Sequence, residues 1–172
     1  PTVFNRLPMT DLKDVKHLDS VQGIPLLRIY FKYHVGDGGV WFKNIPRTTT
    51  DNYLRQIIPI NYDTGLIMIS YTDGFCAKLL SSLHQRGKDI LVKAIHKEIT
   101  DIFSLKEDIP EPEEVFFHYW ENGCHFWKVG SDMHEIYDKM LKPIEVKNYI
   151  YVGNHFVKDK HGWKEHWNRV MM

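Results

Sequence analysis

The sequence predicts an α+β fold: a mixed β-sheet with flanking helices. Three observations carry this prediction. Residues 23–34 alternate with period two, residues 74–103 change to helical spacing, and the element order lacks the regular strand–helix alternation of a doubly wound sheet. At 172 residues and 43% hydrophobic content, the chain is about one domain long and can bury a core.

The first element is GIPLLRIYFKYH, residues 23–34, where Leu27, Ile29, Phe31 and Tyr33 alternate with Arg28, Tyr30 and Lys32. Branched and aromatic residues at that period make a strand. A turn at VGDGG, 35–39, leads to VWFKNI, 40–45, the expected hairpin partner. RTTTDNYL, 47–54, reads as a polar loop. IIPIN, 57–61, and LIMISY, 66–71, read as strands joined by a turn at 63–65, the second buried on both faces.

From Gly74 the period becomes helical through Ala77, Leu80 and Leu83, and Gln85-Arg86-Gly87 is a C-terminal stop. A second helix is expected over about 88–103, with Leu91, Ile95, Ile99 and Ile102 as its apolar stripe. Ile109-Pro110-Glu111-Pro112 forbids helix and forms a stiff connector into a strand at 114–120. A short helix follows over about 131–141 with Ser131 as N-cap, then a strand at 148–153 and a helix starting near Gly162.

Lys plus Arg and Asp plus Glu both number 22, and the basic residues are scattered, so nucleic acid is not an expected partner. No apolar run reaches the roughly 18 residues that span a bilayer, and no basic-then-apolar leader pattern opens the chain. Cys76 and Cys124 are too few and too isolated for a disulfide framework, which makes a reducing, cytoplasmic compartment the default. The opening PTVFNRLPM begins with Pro1 rather than Met, and the expectation is a piece of a longer chain.

The densest chemistry lies in HYWENGCHFWKVG, residues 118–130. His118, Cys124, His125 and His134 are zinc-ligand types, but their spacings match no compact ligand pair, and adjacent strand residues point to opposite faces. Cys124 beside His125 has no third group to orient a thiolate nucleophile. Phe116, Phe117, Tyr119, Trp120, Phe126 and Trp127 are β-formers that can fill a core.

The Gly-Cys step with its aromatic turn, the helix ending in Leu-x-Pro, NYIYVG at 148–153 and GWKE at 162–165 together form a pattern. It resembles the C-terminal segment of the flavin-containing amine oxidases, the monoamine and polyamine oxidase family. PTVFNRLPM and GIPLLRIYFKY look, more loosely, like the family's passage into its substrate domain and that domain's first long strand. IIPIN and GLIMISYTDG are similar to stretches of amine-oxidase-like proteins of large DNA viruses. The resemblance divides the chain into a substrate-binding-like domain at 1–146 and, at 147–172, a strand and helix that return to the FAD-binding domain. The GxGxxG half would come from an upstream segment or another chain, and open strand edges favour association into an oligomer.

The resemblance implies FAD as cofactor and a small-molecule amine as substrate, oxidised to an imine while oxygen becomes hydrogen peroxide. Cys124 falls where the monoamine oxidases tether the flavin covalently. Gly153, Asn154, His155, Gly162 and Glu165 fall at the cofactor. His125 and Trp163 fall where two aromatic side chains face each other before the flavin, with Trp120 as a further substrate contact. Arg6 stands where the family's lysine holds a water. The family's Gly-x-Glu is here Gly153-Asn154-His155, and its Gly-Ala is His166-Trp167, so larger rings stand where small residues let a helix N-terminus approach the flavin. These departures imply an alternative, an inactive amine-oxidase-like domain serving as a binding or structural module.

Overall fold

A computed structural model describes residues 20–132 and 134–136. The chain divides into two compact units, Ile24–Cys124 and a second made of Pro1–Gly23 with His125–Met172. The first holds nearly all the described structure. It is an α+β arrangement of five strands and two helices: β1 (Val21–Lys32), β2 (Thr48–Thr49), β3 (Gln56–Asn61), β4 (Leu66–Asp73), α1 (Gly74–Arg86), α2 (Lys88–Phe103) and β5 (Glu114–Trp127).

The sheet order is β2-β3-β4-β1-β5. The β1–β4, β2–β3 and β3–β4 ladders are all antiparallel. β5 also runs against β1: the Glu113 N–H donates to the Lys32 carbonyl at 2.8 Å, whereas Gly123 lies against Leu26. Among the described residues the sheet is therefore antiparallel, where a mixed one was expected.

The alternation in β1 sorts its side chains as the sequence requires. Leu27, Ile29, Phe31 and Tyr33 are buried in one cluster with Ile67 and Ile69 of β4, Ala77 and Leu80 of α1, and Leu91, Val92, Ile95 and Ile99 of α2. Both helices thus cover the same sheet face. Each of the buried Leu, Ile, Val and Phe side chains contributes roughly 1.5–3 kcal/mol through burial. Tyr33 is enclosed with its hydroxyl 2.9 Å from His96 Nε2, so its polar tip is satisfied inside the core. Gly65 has φ of +70°, and a Cβ there would run into the Tyr33 carbonyl that flanks it, so glycine is required at this turn.

Three expectations are corrected. VWFKNI is not a strand: Lys43 N–H bonds to the Val40 carbonyl and Ile45 N–H to Phe42, successive tight turns that drop Val40, Phe42 and Ile45 into the core. β1 pairs instead with β4, across the intervening β2 and β3 in sequence. The strand expected to end at Trp120 runs on to Trp127, so HYWENGCHFW is continuous strand rather than an aromatic turn. In the second unit Asp132, not Ser131, caps the helical residues 134–136. Its Oδ1 accepts from the backbone N–H groups of His134 and Glu135 at 3.0 and 3.1 Å, and its carboxyl is held below the usual range by those bonds. Ser131 N–H bonds to the Lys128 carbonyl. The strand expected at 148–153 and the helix expected near Gly162 lie outside the described residues.

Candidate ligand-binding face

With both helices on one side, the residues of opposite parity define the other face of the sheet. β1 contributes Leu26, Arg28, Tyr30 and Lys32, all partly exposed. On β5, Val115, Phe117 and Tyr119 pack toward the core cluster, and Phe117 stacks on His84 of α1 with ring centroids 4.0 Å apart. Phe116, His118 and Trp120 therefore turn the other way and remain exposed, Phe116 by 49% and Trp120 by 39%. The rings of His118 and Trp120 lie 3.9 Å apart between centroids, tilted by 49°.

β4 supplies Tyr71 to this face through an irregularity. The register pairs Ile29 with Ser70 but Tyr30 with Met68, leaving Ile69 as an extra residue. Without that bulge Ser70 would face outward and Tyr71 inward. With it, Ser70 turns to the core and donates to the Leu54 carbonyl at 2.9 Å, while Tyr71 comes opposite Arg28. The Arg28 Cζ lies 4.5 Å from the Tyr71 ring centroid, a cation–π arrangement.

At the same end of the sheet, Asp73 pairs with Leu26, and Gly123 approaches Leu26 so closely that a Cβ would strike both Leu26 and Trp120. Glycine at 123 lets β5 come down on the face here. Cys124 follows, a free and partly exposed thiol pushed up by burial and by the Asp73 carboxylate, with Arg28 opposing. A thiol pushed up in this way is a weak nucleophile.

Two of the residues singled out from the sequence, Trp120 and Cys124, thus fall within five positions of β5 at one end of this face. His125, in the second unit, is partly buried, and burial lowers its imidazole. Arg6, Gly153, Asn154, His155, Gly162, Trp163 and Glu165 lie outside the described residues. Sequence reasoning missed Arg28, Tyr30 and Tyr71. The alternation of β1 was the available signal for the first two; Tyr71 depended on a bulge with no local signature.

Two hollows lined by described residues lie elsewhere. One of 410 Å³ is lined by His96, Lys97, Thr100, Asp101, Asp108, Ile109 and Glu111, with Lys97 and Asp101 already paired at 2.7 Å. Another of 260 Å³ lies between Trp41 and the 105–109 segment. Both are open to the surface and neither is lined by β5, so the aromatic face is the stronger candidate. Among the described residues no three His, Cys, Asp or Glu side chains are grouped to hold a metal ion. No described helix is long and apolar enough to cross a membrane. No protein-family model matches the chain, and no curated protein matches it.

Proposed function

We propose that this chain is the C-terminal part of an FAD-dependent amine oxidase-like protein, which converts a primary or secondary amine to an imine and reduces oxygen to hydrogen peroxide. The observation that supports this reading is the sheet face opposite the two described helices, where Arg28, Tyr30, Tyr71, His118 and Trp120 are partly exposed. Its Trp120–Cys124 end is where the resemblance expects amine and flavin.

On this reading the chain's residues bind and desolvate. The Trp120 ring, steadied by His118, stacks on the organic part of the amine and excludes water, which favours the neutral form that can lose hydride. Gly123 lets β5 approach the site closely, and Cys124 offers a protonated thiol to the cofactor. FAD supplies the electron acceptance when bound. The resemblance assigns cofactor contacts to Gly153, Asn154, His155, Gly162 and Glu165, substrate contacts to Trp163 and His125, and the water-holding role to Arg6.

The test is a flavin spectrum and peroxide assay on the complete gene product. Stoichiometric FAD with amine-dependent peroxide release supports the reading, and a colourless protein that FAD cannot reconstitute sinks it. A second reading, an inactive binding or structural module, is favoured by His155 and His166-Trp167, which put rings where the family keeps Glu and Gly-Ala. Peroxide release removes that alternative.

A further inference from the structure

Arg28 is only partly engaged by the fold, through Tyr71 and Tyr30, which hold its guanidinium above the ordinary value. Among the described residues the ion pairs within 4.0 Å are Lys32–Glu114, His34–Glu113 and Lys97–Asp101, so Lys32, its neighbour on the face, is neutralised and Arg28 is not. Its Nε is buried without a hydrogen-bond partner. Glu114 on this face is taken by Lys32, and Asp73, which pairs with Leu26 two positions away, forms no ion pair with Arg28 within 4.0 Å. A guanidinium has five donors in a planar fork that matches a carboxylate, and leaving one of them buried and unpaired costs stability. The bulge at Ile69 also spends sheet regularity to bring the Tyr71 ring beneath this cation. The Tyr71 and Tyr30 phenols engage part of the guanidinium and the Tyr71 ring lies against its face, which orients the group while its Nε stays unpaired, the arrangement of an arginine preorganised for an anion.

We infer that Arg28, held on Tyr71, is an anion subsite, and that the ligand of this face carries a carboxylate beside an apolar or aromatic group that meets Trp120. An unpaired guanidinium repels a plain cationic amine. Joined to the amine-oxidising reading, on which the amine part of this inference rests, the substrate class becomes an amino acid or another amino-carboxylate. The carboxylate part rests on Arg28 alone.

The experiment follows the Arg28 Nε–Hε resonance of the protein by NMR during titration with 3-phenylpropionate, phenylalanine and phenethylamine. The two carboxylates are expected to shift it saturably and phenethylamine is not. Arg28→Gln should weaken carboxylate binding by at least about tenfold, the loss of a charge-assisted hydrogen bond, with Arg28→Lys between the two. Unchanged backbone amide shifts in the remaining strands report that the Arg28→Gln protein is folded. Binding of phenethylamine in preference to both carboxylates, no carboxylate-dependent shift, or carboxylate affinity unaltered in folded Arg28→Gln overturns the subsite. Carboxylate binding by a protein that takes up no FAD sinks the oxidase reading and leaves the subsite standing. FAD-dependent turnover that prefers phenethylamine to phenylalanine does the reverse.

Discussion

Tyr33 and His96 meet through a 2.9 Å contact between the phenol oxygen and Nε2, with Tyr33 enclosed by Phe31, Trp41 and Phe42. Burial lowers the His96 imidazole from its ordinary 6.5, against a weaker opposing pull from Glu111. The unfolded chain therefore binds the proton more readily than the native one. Stability contributed by neutral His96 is present above about pH 6.5 and is lost as pH falls through that value toward the lowered native one. Urea midpoints at pH 7.5 and pH 5 should differ, with the lower value at pH 5. His96→Gln should shrink the difference without abolishing it, because burial lowers His125 in the same direction. An unchanged difference in His96→Gln would remove His96 from this account.

Leu80 on α1 is fully buried in the cluster that joins both helices to the sheet, whereas Phe75, five residues earlier on the same helix, is 78% exposed. Leu80→Ala is expected to cost about 2–5 kcal/mol through lost burial and the cavity left behind. Phe75→Ala should stay within about 0.5 kcal/mol. Chemical denaturation of the two variants checks the helix orientation directly, since a rotated α1 would reverse the order.

The close approach of Gly123 to Leu26 makes a steric prediction at the candidate face. Gly123→Ala should destabilise by about 1–3 kcal/mol, because a new Cβ meets the Leu26 Cβ and the base of Trp120. Leu26→Gly should be less harmful in the Gly123→Ala background than alone. A double-mutant cycle measures that coupling, and independent effects would show that the strands do not meet here.

Cys124 should react slowly. Its thiol is raised by burial and by Asp73 and lowered by Arg28, so the thiolate fraction at pH 7.5 is small. Alkylation by iodoacetamide, quantified by mass spectrometry at each cysteine, should proceed faster in Asp73→Asn and slower in Arg28→Gln. Rates equal to wild type in both variants would mean that neither charge reaches the sulfur, and the opposite order would contradict the assigned signs.

Much of the sheet and both helices were legible because period and burial agree there. β1 reads as alternation and is half-buried, and the α2 stripe of Leu91, Ile95 and Ile99 is the buried stripe. VWFKNI misled because its apolar residues serve a turn that plugs the core, and β-branched and aromatic content cannot distinguish the two uses. The aromatics of β5 divide between the core and the open face, and strand continuation through Glu121-Asn122-Gly123 was hidden by residues that usually signal turns. Arg28 and Tyr71 were illegible as a pair, because their meeting depends on cross-strand register and one extra residue, Ile69.

The most direct test of the face as the wall of a flavin-dependent amine site is an anaerobic titration of the FAD-loaded protein, following flavin absorbance, for wild type and Trp120→Ala. Trp120 is 39% exposed, so its removal should leave the fold intact. The expected result is bleaching of the wild-type flavin by an amine or amino acid, and a concentration dependence shifted at least about tenfold upward in Trp120→Ala, the stacking energy of one ring on its ligand. Bleaching with the same concentration dependence in both proteins, or no bleaching by any amine or amino acid, would contradict it.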